Sequence, residues 1–343
     1  MPRTLIIRRF APPTLFVAAA AATLGLAPRS AAAQDRPITS IDTTVAFARG
    51  GVVDLSVVSG EIRVVGWARS EVRINASTEE GELRFESSPS RVAIEQLLRG
   101  RGRHHGDADA RYELSVPVGT RLLMRSTSGD LSAKGIKGDV EARTVSGGVE
   151  VEDGGGHTEI ESVSGDVRGA RLGGDVRAHS VSGEVEVSDV AGDADAESVS
   201  GSITISGAHS KVARAETVSG DVRYDGSIDA SGHYEFHSHS GDVELRLPAN
   251  ASASVSIETF SGEITSDFPL MLRPETESGR PRRARQLEFT LGGGGPRIDA
   301  KTFSGDVVIR RAGGSGGKAE STRRNPPKRD RDQDDDDDDE PHD

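Results

Sequence analysis

From residue 128 onward, apolar and polar side chains alternate in short runs, and each run ends at a glycine-bearing corner. The corners read "RTVSGGVEV", "ESVSGDVRGA", "HSVSGEVEV", "ESVSGSITI" and "ETVSGDVRY". Ser-Gly pairs start at Ser128, Ser146, Ser164, Ser182 and Ser200, each 18 residues after the last. Ser219, Ser240 and Ser261 follow at steps of 19, 21 and 21, Ser304 after 43, and an earlier copy sits at Ser59. Midway between Ser-Gly corners lies a second corner, as in "KGDV" at 137–140 and "LGGDV" at 172–176. Alternation with period two marks half-buried strands, and Gly beside Ser or Asp marks tight turns. Each unit therefore predicts two short strands and two turns.

Stacking the units in register produces columns. Leu131, Val149, Val167, Val185, Ile203, Val222 and Val243 follow the Ser-Gly corner, with Ala133, Val151, Gly169, Val187, Ile205, Tyr224 and Leu245 two places on. Val140, Thr158, Val176, Ala194 and Val212 follow the second corner, then Ala142, Ile160, Ala178 and Ala196. Parity adds Thr144, Ser162, Ser180 and Ser198 to the inward face, a hydroxyl ladder that suits a narrow interior if each hydroxyl finds a partner. Outward, Glu150, Arg168 and Glu186 alternate in sign, as do Arg223 and Glu244, so neighbouring coils would pair charges. One unit cannot bury its apolar face alone, but stacked units can. The fold class this predicts is all-β: a β-solenoid with two short strands per coil of about 18 residues. A sandwich of hairpins is the rival, and it rarely keeps residue identity at fixed spacing. The pattern leaves handedness open.

The period fails at both ends. Residues 34–127 form an N-terminal β region with irregular coils: "EVRINAST" and "ELRFESS" read as strands, "SRVAIEQLLRG" as a short helix or a strand, and "RGRHHGDADA" as a polar loop. Residues 128–311 hold the regular repeats and the closing coils, where Phe260 and Phe303 replace the valine of the corner column. Such rings are expected to plug the open end, as terminal repeats require. Trp67, the single tryptophan, is expected to cap the other end. From 312 to 343, Gly, Ser and Pro give way to blocks of charge, the composition of a disordered acidic tail.

Residues 1–33 read as a secretory signal: Arg3, Arg8 and Arg9, then the apolar "TLFVAAAAATLGLA", then small residues for cleavage before Gln34. No later apolar run approaches the roughly 18 residues of a membrane span. The predicted location is secreted, periplasmic or at the cell surface. There is no cysteine, hence no disulfide and no thiolate chemistry. The full chain carries a formal charge of -13, and loss of the four arginines of the signal takes it to -17. Nucleic acid is an unfavourable partner for such a surface.

The recurring T-x-S-G-D-V corners, the "VPVG" strand before the first regular unit and the closing "GGGGPRIDAKTFSGDV" resemble the DUF4097 family, whose members also go by the name putative adhesin. They are similar, too, to auto-transporter adhesin head domains. The resemblance covers roughly residues 40 to 311. It implies a β-solenoid of the bacterial envelope without established enzymatic activity, and it offers no catalytic residue to transfer.

Candidate chemistry is sparse. Calcium-binding rolls share the 18-residue coil but place Asp two residues after Gly; here the acid follows Gly directly, at Asp130, Asp166, Glu184, Asp221, Asp242, Glu263 and Asp306. Those acids read as corner residues that help the turn. His237 and His239 share parity and would both reach one metal, but His239 stands in the column of Val163 and Val181. His104 and His105 sit in the polar loop, and Arg280 to Arg285 form a basic loop. The serines repeat as a column, where no single one is set apart as a nucleophile. No catalytic, cofactor-binding or metal-ligating residue is therefore assigned. The expected role is a non-enzymatic structural or adhesin-like surface for envelope glycans or other envelope proteins. The alternatives are a calcium-stabilised roll, an envelope-stress regulatory component and a glycan-processing β-helix enzyme.

Overall fold

The computed structural model describes residues 38–98, 110–269, 271–272 and 285–312. The signal segment, His104, His105, the basic stretch up to residue 284 and the tail from 313 onward lie outside them. Seven strands precede the regular array: β1 (Ser40–Ala46), β2 (Val52–Ser59), β3 (Glu61–Trp67), β4 (Glu71–Ser77), β5 (Glu82–Ser88), β6 (Arg91–Leu97) and β7 (Arg111–Pro117). Within the "SRVAIEQLLRG" stretch, Arg91–Leu97 is thus strand rather than helix. The array runs through β8 (Arg121–Ser128), β9 (Leu131–Lys134), β10 (Val140–Ser146), β11 (Val149–Glu152), β12 (Thr158–Ser164), β13 (Val167–Leu172), β14 (Val176–Ser182) and β15 (Val185–Val190). It continues through β16 (Ala194–Ser200), β17 (Ile203–Ala208), β18 (Val212–Ser219), β19 (Val222–Gly226), β20 (His233–Ser240) and β21 (Val243–Leu247). The closing strands are β22 (Ala253–Ser261), β23 (Ile264–Ser266), β24 (Met271–Leu272), β25 (Arg285–Leu291), β26 (Arg297–Ser304) and β27 (Val307–Arg311).

Each coil gives one strand to each of two long sheets. Sheet A runs β1-β4-β7-β3-β9-β11-β13-β15-β17-β19-β21-β27-β23, and sheet B runs β24-β25-β22-β26-β20-β18-β16-β14-β12-β10-β8-β2-β6-β5. Throughout the array the pairing is parallel and like sits above like: Val149 on Val167, Val167 on Val185, Val185 on Ile203. The chain is an all-β solenoid. Its buried side chains form one cluster that reaches from Ile41 to Ile309.

The Ser-Gly corners explain themselves in this stack. A side chain on Gly147 would strike the carbonyl of Gly129 one coil below; on Gly165, that of Gly147; on Gly183, that of Gly165. A glycine column is what lets corners approach at the strand spacing of about 4.8 Å. The inward hydroxyls then use the same carbonyls. Thr144 donates to Gly129 O (3.2 Å), Ser162 to Gly147 O (2.9 Å), Ser180 to Gly165 O (3.0 Å), Thr217 to Gly201 O (3.0 Å) and Ser238 to Gly220 O (2.9 Å). Ser180 is fully buried. Ser180→Ala removes the donor and leaves the carbonyl desolvated, a loss of about 1–2 kcal/mol in urea unfolding. Ser180→Thr keeps the hydroxyl, as Thr144 and Thr217 do, and is expected to stay within about 0.5 kcal/mol of the parent.

Three sequence expectations fail here. Val212 does not continue the column of Val140: Ala194 pairs with Ala213, and Val212 is exposed. The 19-residue step between Ser200 and Ser219 is the cause, since its extra residue falls before β18 and shifts the inward parity by one. Trp67 does not cap an end, because β3 lies between β7 and β9 inside sheet A. Its indole N–H donates to Glu71 O (2.8 Å), and the Arg69 guanidinium lies 5.0 Å from a ring centroid. At that end the stack finishes on antiparallel strands instead, β1 on β4 in sheet A and β5 on β6 in sheet B. Finally, Phe260 and Phe303 do not plug the far end. They follow inward Thr259 and Thr302 and so point outward.

Both ends share one construction. β2 and β3 pair directly with β8 and β9, while β4 to β7 pass outside them. At the other end β22 and β23 lie outside β26 and β27, which pair with β20 and β21. The Ser304 corner therefore stacks between those of Ser240 and Ser261.

Candidate interaction surface

The outer face of sheet B presents three parallel columns. The register aligns Glu141, Glu159, Arg177, Asp195, Arg214, Glu235, Asp299 and Ser256 in one, and Arg143, Glu161, His179, Glu197, Glu216, His237, Lys301 and Glu258 in the next. The third column is apolar. Val145, Val163, Val181, Val199 and Val218 occupy successive coils, each exposed by 37–51%. His239, Phe303 and Phe260 continue the line.

The three rings at that end stack flat on one another. The Phe260 and Phe303 centroids are 4.8 Å apart at 3°, and those of His239 and Phe303 are 4.9 Å apart at 8°. Isolated aromatic pairs prefer offset or edge-to-face arrangements. The near-parallel stack here is imposed by the coil repeat, which sets like positions about 4.8 Å apart. A groove of about 370 Å³ runs beside the rings, bounded by Glu216, Val218, His237, Lys301 and the two phenylalanines.

The titratable groups of this face are mostly paired. Arg143 reaches Glu159 (2.9 Å) and Glu161 (3.1 Å), and Arg214 reaches Glu216 (2.8 Å). The His233 imidazole beside Glu235 (2.9 Å) holds that carboxyl below the usual range. Burial, helped by the Lys301 charge, lowers the pKa of His237, whose Nε2 is buried without a partner. His237 is thus neutral at pH 7.

The His239 ring lies flat against Phe303, and it is His233, Glu235 and Asp299 whose ligand atoms come within 4.8 Å of one another. Asp299, however, is already held in a fork by Arg297 (2.6 and 3.2 Å). The corner acids do more than help their own turns. Asp130 accepts the Gly148 N–H (2.8 Å), Asp166 that of Glu184 (3.0 Å), Asp221 that of Asp242 (3.0 Å) and Asp242 that of Asp306 (2.8 Å). Each carboxylate ties its coil to the next, a use that the sequence position alone did not show. Of the charge pairs expected on sheet A, Arg168 reaches Glu186 at 3.5 Å and Arg223 reaches Glu244 at 3.5 Å, whereas Glu150 stands beside Arg168 in the column without an ion pair to it.

A second concavity of about 1080 Å³ lies near the N-terminal end, between Glu61, Ser77, Arg111, Asp130 and Gly147. The column serines Ser162, Ser180, Ser198 and Ser238 donate to glycine carbonyls, while the Ser126 hydroxyl, in the same column, is buried without a partner. Among the described residues no helix is long and apolar enough to cross a membrane.

The sequence profile described as Toastrack DUF4097 matches residues 112–310. No curated protein matches the chain. Among solved structures, a candidate cell-adhesion protein from Clostridium sporogenes is 10% identical, with 80% of this chain and 100% of that one covered and a TM-score of 0.22. A candidate adhesin from Bacteroides fragilis is 10% identical, with 80% and 97% covered and a TM-score of 0.37. A candidate lipid-binding protein from Parabacteroides distasonis is 13% identical, with 80% and 97% covered and a TM-score of 0.40. At these scores no property of those proteins transfers to this chain.

Proposed function

Since this chain belongs to the Toastrack DUF4097 family, we propose that it is a non-enzymatic docking scaffold of the bacterial cell envelope, exported by its N-terminal segment to the periplasm or the cell surface. The exposed apolar line from Val145 to Phe260 carries this reading. Contiguous apolar surface of this kind, rimmed by charge, marks a docking face. It favours another folded protein over a polysaccharide, because Phe303 has both ring faces covered, by Phe260 and His239, and offers a ligand its edge. The array supplies rigidity: the columns are fixed by two hydrogen-bonded sheets, so a partner meets a preorganised surface and pays little ordering entropy.

The test uses the tagged mature chain and a Phe260→Ser, Phe303→Ser variant, each incubated with envelope and cytosolic fractions. The parent is expected to retain a discrete envelope component that the variant loses, with unchanged circular dichroism. If the envelope retains nothing on the parent, or if both proteins retain the same material equally, the reading fails.

A further inference from the structure

We propose that the outer face of sheet B pairs with the same face of a second copy, related by a two-fold axis that runs parallel to the strands and passes between the coils of Val199 and Val218. The proposal rests on reading this face as a docking surface, and it names the occupant: the component that the tagged chain retains from the envelope is an untagged copy of itself. Such an axis reverses the order of coils and leaves each column facing itself. The apolar line has eight positions, and their midpoint fixes where the axis falls. Val145 then meets Phe260 of the other copy, Val163 meets Phe303, Val181 meets His239, and Val199 meets Val218. Large always opposes small where a ring is present, which is what interdigitation of two flat faces needs.

The charges agree with this axis. Across the interface Arg143 faces Glu258, Glu161 faces Lys301, Arg177 faces Glu235, and Asp195 faces Arg214. Two like pairs remain, Glu197 with Glu216 and Glu159 with Asp299, and Glu216 and Asp299 each already hold an arginine of their own chain. Moving the axis by half a coil destroys the match. Arg143 would then face Lys301, Arg177 would face Arg214, Glu159 would face Glu235, and Glu141 would face Asp299. Complementary charge sets register and partner more than affinity, so the apolar line supplies the attraction and the flanking columns select one alignment. Seven steps of about 4.8 Å and strands of about 23 Å give a footprint of roughly 800 Å² per copy, the size that stable complexes bury on each partner.

The decisive experiment is a charge reversal followed by sedimentation equilibrium of the full mature chain from about 1 to 200 µM, a range that brackets micromolar association. Glu161 and Lys301 stand five coils apart within one chain, about 24 Å, too far to interact directly. Lys301→Glu and Glu161→Lys should each weaken dimerisation by at least about tenfold, since each change is felt twice across the axis. Together they should restore it, and only contact between copies gives that rescue. A parent that is monomeric throughout overturns the proposal, and so does a dimer indifferent to the single reversals or not rescued by the double. A monomeric parent whose Phe260→Ser, Phe303→Ser variant still loses its envelope component removes the paired copies and leaves the docking face intact.

Discussion

Replacing Gly147 by alanine is expected to cost about 3–4 kcal/mol in equilibrium unfolding. Two penalties add. Gly147 holds φ at 135°, a region side chains rarely adopt, and a methyl group there would overlap the carbonyl oxygen of Gly129. That oxygen belongs to the backbone of the coil below and is the acceptor for Thr144, so it has no freedom to yield. The coil must lift, and in a stack where each coil touches only its neighbours a lifted coil separates what lies on either side. Gly119→Ala is the control: nothing lies within 4 Å of the added methyl, and no change beyond about 0.5 kcal/mol is expected. Equal melting temperatures for the two variants would show that the corner glycines do not set the coil spacing.

The second large effect is expected at Phe236, where alanine should cost about 3–5 kcal/mol. The core is thin through most of the array because alanine fills its middle column, at Ala142, Ala178, Ala196 and Ala215. It thickens at β20. Phe236 stands between Ala215 and Ala300 in the stack and packs on Tyr224 with ring centroids 4.8 Å apart. Tyr224 in turn packs on Tyr234, and both hydroxyls donate to backbone carbonyls, of Ser227 and Ser210, at 2.9 Å. Burial pushes the Tyr224 hydroxyl pKa upward. Removing the ring leaves a void that neither alanine can fill, and it frees two tyrosines that would have to lose those bonds to collapse into it. Phe236→Leu keeps most of the volume and should cost about 1 kcal/mol. A loss below about 1 kcal/mol for alanine would mean the site closes up and the aromatic cluster is not rigid.

Much of this architecture was legible in the residues. The Val149, Val167 and Val185 column could be drawn before any coordinates, since a constant step of 18 forces like positions to stack. So could the buried hydroxyls, whose parity placed Ser162 and Ser180 inward. The acceptors were not legible, because a glycine carbonyl leaves no mark on a sequence. Parity from Thr144 already puts Val145 outside, and the whole corner column with it. Phe260 and Phe303 were assigned to an end plug because large apolar rings read as buried. Val212 was lost to a single inserted residue, and the place of the Ser304 corner was hidden because a 43-residue step does not say on which side of Ser261 the chain returns. The outward orientation of the docking face thus follows from parity, while the place of Phe303 between His239 and Phe260 only the fold reveals.

The nesting of the last coil has a consequence for biogenesis. The growing chain emits β22 and β23 before their proper neighbours exist, and the corner at Ser261 carries the same Ser-Gly pair as the one at Ser240. A simple zipper would seat them directly on β20 and β21. Residues 297–311 complete that seam, so β22 and β23 have their lasting neighbours only once the end of the array is in place. Truncation after Leu291 would leave β20 and β22 without the neighbour, β26, that they share.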